Sequence, residues 1–202
     1  MARRKKKISK PKNNTFAIIV DGETEVWYFQ MLKRNEPSLQ INIEPKIPQK
    51  KKLSDQCEKV LELSEVYTKV FWIIDLDVVI RDGQVHKFKE YLNEVELKNN
   101  VITILNNPCL EYWFLLHYES ISKYFPKCSN AEKQFKKHLK DYKKTQKYFT
   151  KQNSDIYLKL KSNLSTALAN TLKTQRKSID ELKRGICEMN LFFETEQINI
   201  KE

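Results

Sequence analysis

The chain has 202 residues, 40% hydrophobic and 31% charged, with 10 Phe, 9 Tyr and 3 Trp. That is enough apolar material for one substantial core, and it excludes a mainly disordered protein or a multi-domain machine. No apolar run approaches the roughly 18 residues a bilayer span needs, and the start Met-Ala-Arg-Arg-Lys-Lys-Lys has no apolar segment behind it, so neither membrane span nor secretory signal is expected. The net charge of +11 is unevenly spread: residues 1–12 carry +7, 13–120 carry −5, 121–184 carry +12 and 185–202 carry −3. An acidic front and a basic rear suit carboxylates that gather cations and lysines that gather a polyanion, which makes nucleic acid the expected partner. Lysines on solvated helix faces are the plainer reading of any single position.

In chain order, residues 1–14 read as a basic arm, disordered without a polyanion. Phe16-Ala-Ile-Ile-Val20 is a β-branched apolar run ending at Asp21-Gly22, the pattern of a buried strand and turn. Thr24 can cap a helix whose stripe is Val26, Tyr28, Phe29 and Leu32, closed by Pro37. Leu39 to Ile47 alternates as a second strand, Lys50-Lys51-Lys52 forms a loop, and Leu53 to Tyr67 has helical spacing. Val70-Phe-Trp-Ile-Ile74 is a third strand ending at Asp75-Leu-Asp77, Val85 to Lys98 a helix, and Val101-Ile-Thr-Ile-Leu105 a fourth strand. From Leu110 onward the pattern is helical. This alternation predicts an α/β fold: an open, mainly parallel sheet flanked by helices over 15–120, with a helical basic extension over 121–202 packed on it.

Three glycines leave no phosphate-cradling loop of the Walker or dinucleotide type. Cys57, Cys109, Cys128 and Cys187 show no C-x-x-C pairing and read as reduced thiols in a cytoplasmic protein. A Cys109 and His117 nucleophilic dyad has no other support, and an inert buried cysteine is the default.

The acids carry the chemistry. Asp21, Glu23 and Glu25 follow the first strand and Asp75 and Asp77 the third; in a parallel sheet those ends share one edge, where ligands bind. If Asp75 and Asp77 lie on an extended segment, two apart, they face one cavity. Hard carboxylate oxygens there would take Mg²⁺ or Mn²⁺, which polarises phosphoryl groups and generates hydroxide. Capping of the following helices is the alternative use of the same acids. Glu111 divides the same way: it follows the fourth strand, yet in the first turn of a helix begun at Pro108 it would also suit the dipole.

Asp21-Gly-Glu-Thr-Glu25 with Tyr28-Phe29, then Trp72-Ile-Ile-Asp-Leu-Asp77, then Asn107-Pro-Cys-Leu-Glu-Tyr-Trp-Phe-Leu-Leu-His117, together with Tyr142-Lys-Lys144, resemble the RloB family over roughly residues 16–170. These are bacterial proteins found with restriction and phage-defence genes, and the family is similar to Toprim-type domains. The resemblance implies a Toprim-like sheet in which Asp21 stands at the first acidic position, Asp75 and Asp77 form the Asp-x-Asp, and Glu25 is a further acid. It also implies Mg²⁺-dependent phosphodiester cleavage, with Asp21, Glu25 and Glu111 catalytic and Asp21, Asp75 and Asp77 on the metal. Here Asp21 replaces the usual Glu and is one methylene shorter.

In the basic half, lysines from Lys136 to Lys147 recur at helical spacing with Tyr142, Tyr148 and Phe149 among them, either as one surface of cations and stacking rings or, the plainer reading for the aromatics, as an amphipathic helix whose rings enter the core. Lys140 and Lys143 from this spacing, Tyr142 and Lys144 from the Tyr-x-Lys element the resemblance supplies, and Asn107 and His117 from its Asn-Pro motif are assigned to nucleic acid, DNA and RNA being undivided; a packed histidine is the plainer reading of His117. The expected function is a nuclease in antiphage defence or abortive infection. The alternative is a non-catalytic module that recognises nucleic acid or a defence-system partner protein, and either leaves room for a homo-oligomer. A small-molecule phosphotransferase fits the basic rear half less well.

Overall fold

The central strands β1 (Phe16–Ile19) and β3 (Lys69–Asp75) are near-continuous apolar runs, as a sheet covered on both faces demands. The computed structural model describes residues 15–20, 22–46, 51–196, 198 and 200; the arm over 1–14 and Asp21 lie outside the described residues. The sheet has five strands in the order β2-β1-β3-β4-β5, with β2 at Ile41–Glu44, β4 at Val101–Asn107 and β5 at Ile186–Cys187. The first four are parallel, and β5 joins β4 antiparallel. The fold is thus the expected open α/β sheet flanked by helices. Because β2 lies on one side of β1 and β3 on the other, the topological switch point falls between β1 and β3.

Alternation along the strands sends side chains into two cores. Phe16, Ile18, Val20, Phe71, Ile73 and Ile104 enter one; Ala17, Ile19, Val70, Trp72, Ile74 and Leu105 enter the other. Helices α2 (Leu53–Ser64), α3 (Leu76–Arg81) and α4 (Val85–Glu96) cover the second face, inserting Cys57, Val60, Val79, Phe88, Leu92 and Val95. Trp72 donates its indole N–H to Gln56 across this layer at 3.0 Å, so the polar end of the ring is satisfied inside the core.

The first face is covered by α1 (Glu23–Asn35), α5 (Leu110–Leu116), α6 (Cys128–Phe135), α7 (Gln146–Phe149), α8 (Ile156–Lys161), α9 (Leu164–Thr171) and α10 (Asn190–Phe193). Helix α5 is buried all round, which explains why its sequence Leu-Glu-Tyr-Trp-Phe-Leu-Leu has almost no polar face. Each of its large side chains contributes about 1.5–3 kcal/mol over exposure. Fully buried Asp155 fixes α8 against α1: it accepts the Leu158 N–H at 3.0 Å and pairs with Arg34 at 2.7 Å.

Several expectations are corrected. Gly22, not Thr24, is the N-cap of α1, and among the described residues the second strand runs Ile41–Glu44, Ile47 of the expected strand lying outside them. Asp77 lies in the first turn of α3 rather than on an extended segment with Asp75. Pro108 precedes the Cys109 N-cap instead of starting α5. The lysines from Lys136 to Lys147 do not share one helix: α6 ends at Phe135, and Thr145 caps the separate α7 by accepting from the Tyr148 N–H. The inward turn of Tyr142, whose ring meets Phe135 at 4.9 Å, lies between them. The four cysteines are not all thiols, because Cys109 and Cys128 form a disulfide, while Cys57 and Cys187 are free and buried. Among the described residues no helix is long and apolar enough to cross a membrane.

Candidate functional site

Each expected acid within the described residues sits at or beyond the carboxyl end of a parallel strand, where the chain leaves the sheet and turns into a helix. Glu25 is in the first turn of α1 and only 3% exposed. Its carboxylate folds back over Gly22, where a Cβ would collide with it. Gly22 has an extended backbone, so the glycine serves close approach rather than an unusual φ.

Asp75 ends β3 and is 8% exposed. It stands at the N-cap of α3, yet its side chain makes no cap hydrogen bond, so the capping alternative does not account for it. Asp77, half-buried, accepts from the Cys128 backbone N–H at 3.4 Å. Burial raises its pKa above the ordinary aspartate value, while that N–H, Arg81 and Lys144 pull it back.

Glu111 is fully buried in the first turn of α5. One of its oxygens accepts from Tyr142 at 2.9 Å and from Lys144 at 2.8 Å; the other lies 3.0 Å from the Cys128 sulfur. Lys144 reaches in from the surface, its side chain 40% exposed. Burial lowers its pKa, but Glu111, helped by Glu25 and Asp75, outweighs that and raises it, so the ammonium stays charged. The Tyr142 phenol is pushed far up by burial beside Glu111 and remains protonated.

The structure therefore brings Glu25, Asp75, Asp77, Glu111, Tyr142 and Lys144 to one end of the sheet. The Cys109–Cys128 bond staples the start of α5 to the start of α6 within this cluster. Beside it a cavity of about 410 Å³ is lined by Asp77, Arg81, Asn107, Lys127 and Cys128 among others. Arg81 and Lys127 are exposed at its margin.

The other assigned residues are placed differently. Asn107 donates to the backbone carbonyls of Leu182 at 2.5 Å and Arg184 at 2.9 Å, tying β4 to the segment that enters β5. His117 is 2% exposed, edge-on to Trp113. Its Nδ1 lies 3.0 Å from the Trp113 carbonyl, which can only accept, so that nitrogen carries the proton. Burial lowers its pKa to about 4, leaving the ring neutral. Tyr142 also lies inside, 2% exposed, whereas Lys140 and Lys143 face solvent.

The donors suit a hard cation in kind. Glu25 and Asp75 are buried carboxylates that both act on the Lys144 ammonium, and oxygen donors of this kind suit a divalent ion. A soft-metal site is not offered: among the described residues the ligand-type atoms gathered within 4.8 Å are those of Cys109, Glu111 and Cys128, and both sulfurs are joined to each other.

One residue was missed in the sequence. Asn106 is 0% exposed, pairs in register with Asp75, and neither polar atom of its side chain has a hydrogen-bond partner. The visible signal was a polar Asn106-Asn107 pair ending the apolar run of β4.

A family model described as RloB-like protein matches residues 16–195, most of the chain. The chain belongs to the RloB-like family. The match extends past the resemblance legible in the motifs and takes in β5 and α10, so the RloB-like unit includes the rear segment that completes the sheet. No curated protein and no solved structure matches the chain.

Proposed function

We propose that this RloB-like protein is a divalent-metal-dependent nuclease that hydrolyses phosphodiester bonds, and that it acts in antiphage defence. The observation that carries the reading is the burial of Glu25 and Asp75 at the switch-point edge, with Asp77 beside a cationic cleft. Asp75 and Asp77, with Asp21, would hold Mg²⁺ or Mn²⁺. Such an ion, when bound, polarises a phosphoryl oxygen and makes hydroxide available near neutral pH.

The chain's own residues divide the remaining work. Glu25 would take a proton from attacking water. Glu111, held by Tyr142 and Lys144, positions the Lys144 ammonium rather than acting as a base. Lys144 offsets negative charge that develops on the phosphoryl group. Arg81, Lys127, Lys140 and Lys143 present exposed cations for backbone phosphates, which position a strand without reading its sequence. The resemblance to Toprim-type domains and to proteins of restriction and phage-defence systems supports the substrate class and the defence role. A cytoplasmic site of action belongs to the same reading, and there the Cys109–Cys128 bond would meet reducing thiols.

The test is incubation of the purified protein with single-stranded DNA, duplex DNA and tRNA, in Mg²⁺, Mn²⁺ or EDTA, beside an Asp75→Ala/Asp77→Ala variant. Cleavage that requires both metal and those aspartates is expected. A non-catalytic recognition module is the second reading, favoured by Asp in place of Glu at position 21. Salt-sensitive binding without cleavage, unchanged in the aspartate variant, would select it.

A further inference from the structure

We propose that Asn106 is a positioning residue of the cation site, its amide hydrogen-bonding the water shell of a divalent ion held beside Asp75. This rests on the metal-dependent reading above.

The argument begins with the alternation of β4. Ile104 enters the core beneath α1 and α5, and residue 106, two positions on, shares that face. A residue with only a packing role there would be apolar. Instead the position holds an amide whose Oδ1 and Nδ2 are both buried and unpaired. An unsatisfied buried polar group costs roughly 1–3 kcal/mol, and a primary amide brings both a donor and an acceptor.

Its surroundings limit what can satisfy it. In-register pairing puts Asp75 on one side of Asn106 and Cys187 of β5 on the other. Cys187 is a buried, protonated thiol, a weak partner at best. The acidic side remains, where Asp75 and Glu25 favour a cation. Mg²⁺ surrenders its waters reluctantly and usually keeps several. Those waters need acceptors, which carboxylates provide, and a geometry held by neutral groups that add no further repulsion. A buried amide at this register position meets that need, and such supporting residues typically tune metal affinity by 10- to 100-fold.

The test compares the full-length wild type with Asn106→Leu and Asn106→Asp, reading Mn²⁺ affinity by calorimetry and thermal melts in EDTA and in Mn²⁺. Asn106→Leu should melt higher than wild type in EDTA, because the orphan amide is gone, yet bind Mn²⁺ roughly 10- to 100-fold more weakly. Mn²⁺ affinity equal to wild type would overturn the assignment of Asn106 and leave the metal reading standing. Absence of Mn²⁺ binding by the wild type itself would overturn both. Should Asn106→Leu fail to fold, Asn106→Asp decides: it adds a buried charge beside Asp75, so its melt should fall in EDTA and gain more from Mn²⁺ than wild type. An unchanged Mn²⁺ gain would overturn the proposal.

Discussion

The Lys144 ammonium lies 2.8 Å from a Glu111 carboxylate that is wholly buried, so the surface lysine is the counterion of an interior acid. Removing Lys144 leaves that acid with the Tyr142 hydroxyl but without its cation. Breaking a buried pair typically costs about 3–5 kcal/mol, and the exposure of Lys144 screens part of it, so Lys144→Met should destabilise by about 2 kcal/mol. Urea unfolding measures this. The double variant Lys144→Met/Glu111→Gln should recover part of the loss; a double variant no better than the single would contradict the pairing.

The Cys109–Cys128 bond spans 19 residues and joins two helix starts at the cluster. Closing a loop of that length in the unfolded chain is worth about 3 kcal/mol. Reduction should therefore lower the melting temperature by several degrees and loosen the hold of the Cys128 N–H on Asp77. Thiol titration of the denatured, unreduced protein should count two thiols of the four cysteines, those of Cys57 and Cys187. A count of four would show that the bond had not formed.

His117 gives a pH signature. Its pKa falls from 6.5 to about 4 on burial, so between those values the unfolded chain holds a proton that the folded one excludes. Stability from this residue is complete above 6.5 and is lost as the pH falls toward about 4. The whole effect is at most about 3 kcal/mol by linkage. Because Asp77 and Glu188 have raised pKa values that act in the opposite sense, the comparison must be between wild type and His117→Phe. The variant should lose less stability between pH 7 and pH 4; parallel curves would refute a neutral buried His117.

Gly22→Ala tests the placement of Glu25 without deleting it. The backbone at Gly22 tolerates alanine, but the new Cβ would strike the Glu25 carboxylate, the mobile end of a flexible side chain. The fold should survive, with circular dichroism unchanged and stability within about 1 kcal/mol. Metal-dependent cleavage should drop by roughly 10- to 100-fold, the penalty of moving a reacting group about 1 Å. Full activity would remove Glu25 from the proposed chemistry.

How far the site was legible varies from residue to residue. Asp75 and Asp77 could be placed at a strand end from the run Val70-Phe-Trp-Ile-Ile74 alone, since a buried parallel strand announces itself by length and β-branching. Glu111 could be placed near them, but not its commitment to Tyr142 and Lys144, which come from 31 and 33 positions away in the sequence. Sequence spacing carries no information on contacts of that separation. The long lysine-bearing helix failed because the helix is broken between Phe135 and Gln146; the core placement favoured for its aromatics holds for Tyr142, which turns inward between the two helices.

By itself the sequence determined the class of fold and that the first and third strands are buried, because hydrophobic periodicity is a local property that two covered sheet faces impose residue by residue. It also determined that the front half carries carboxylates at strand ends and the rear half an excess of lysine. Only the tertiary structure decided that β5, two residues long, closes the sheet from the rear segment, that Cys109 meets Cys128, and that Asn106 stands unsatisfied beside Asp75. Each of these depends on segments far apart in the chain arriving at one place, and it is packing of the whole core that brings them there.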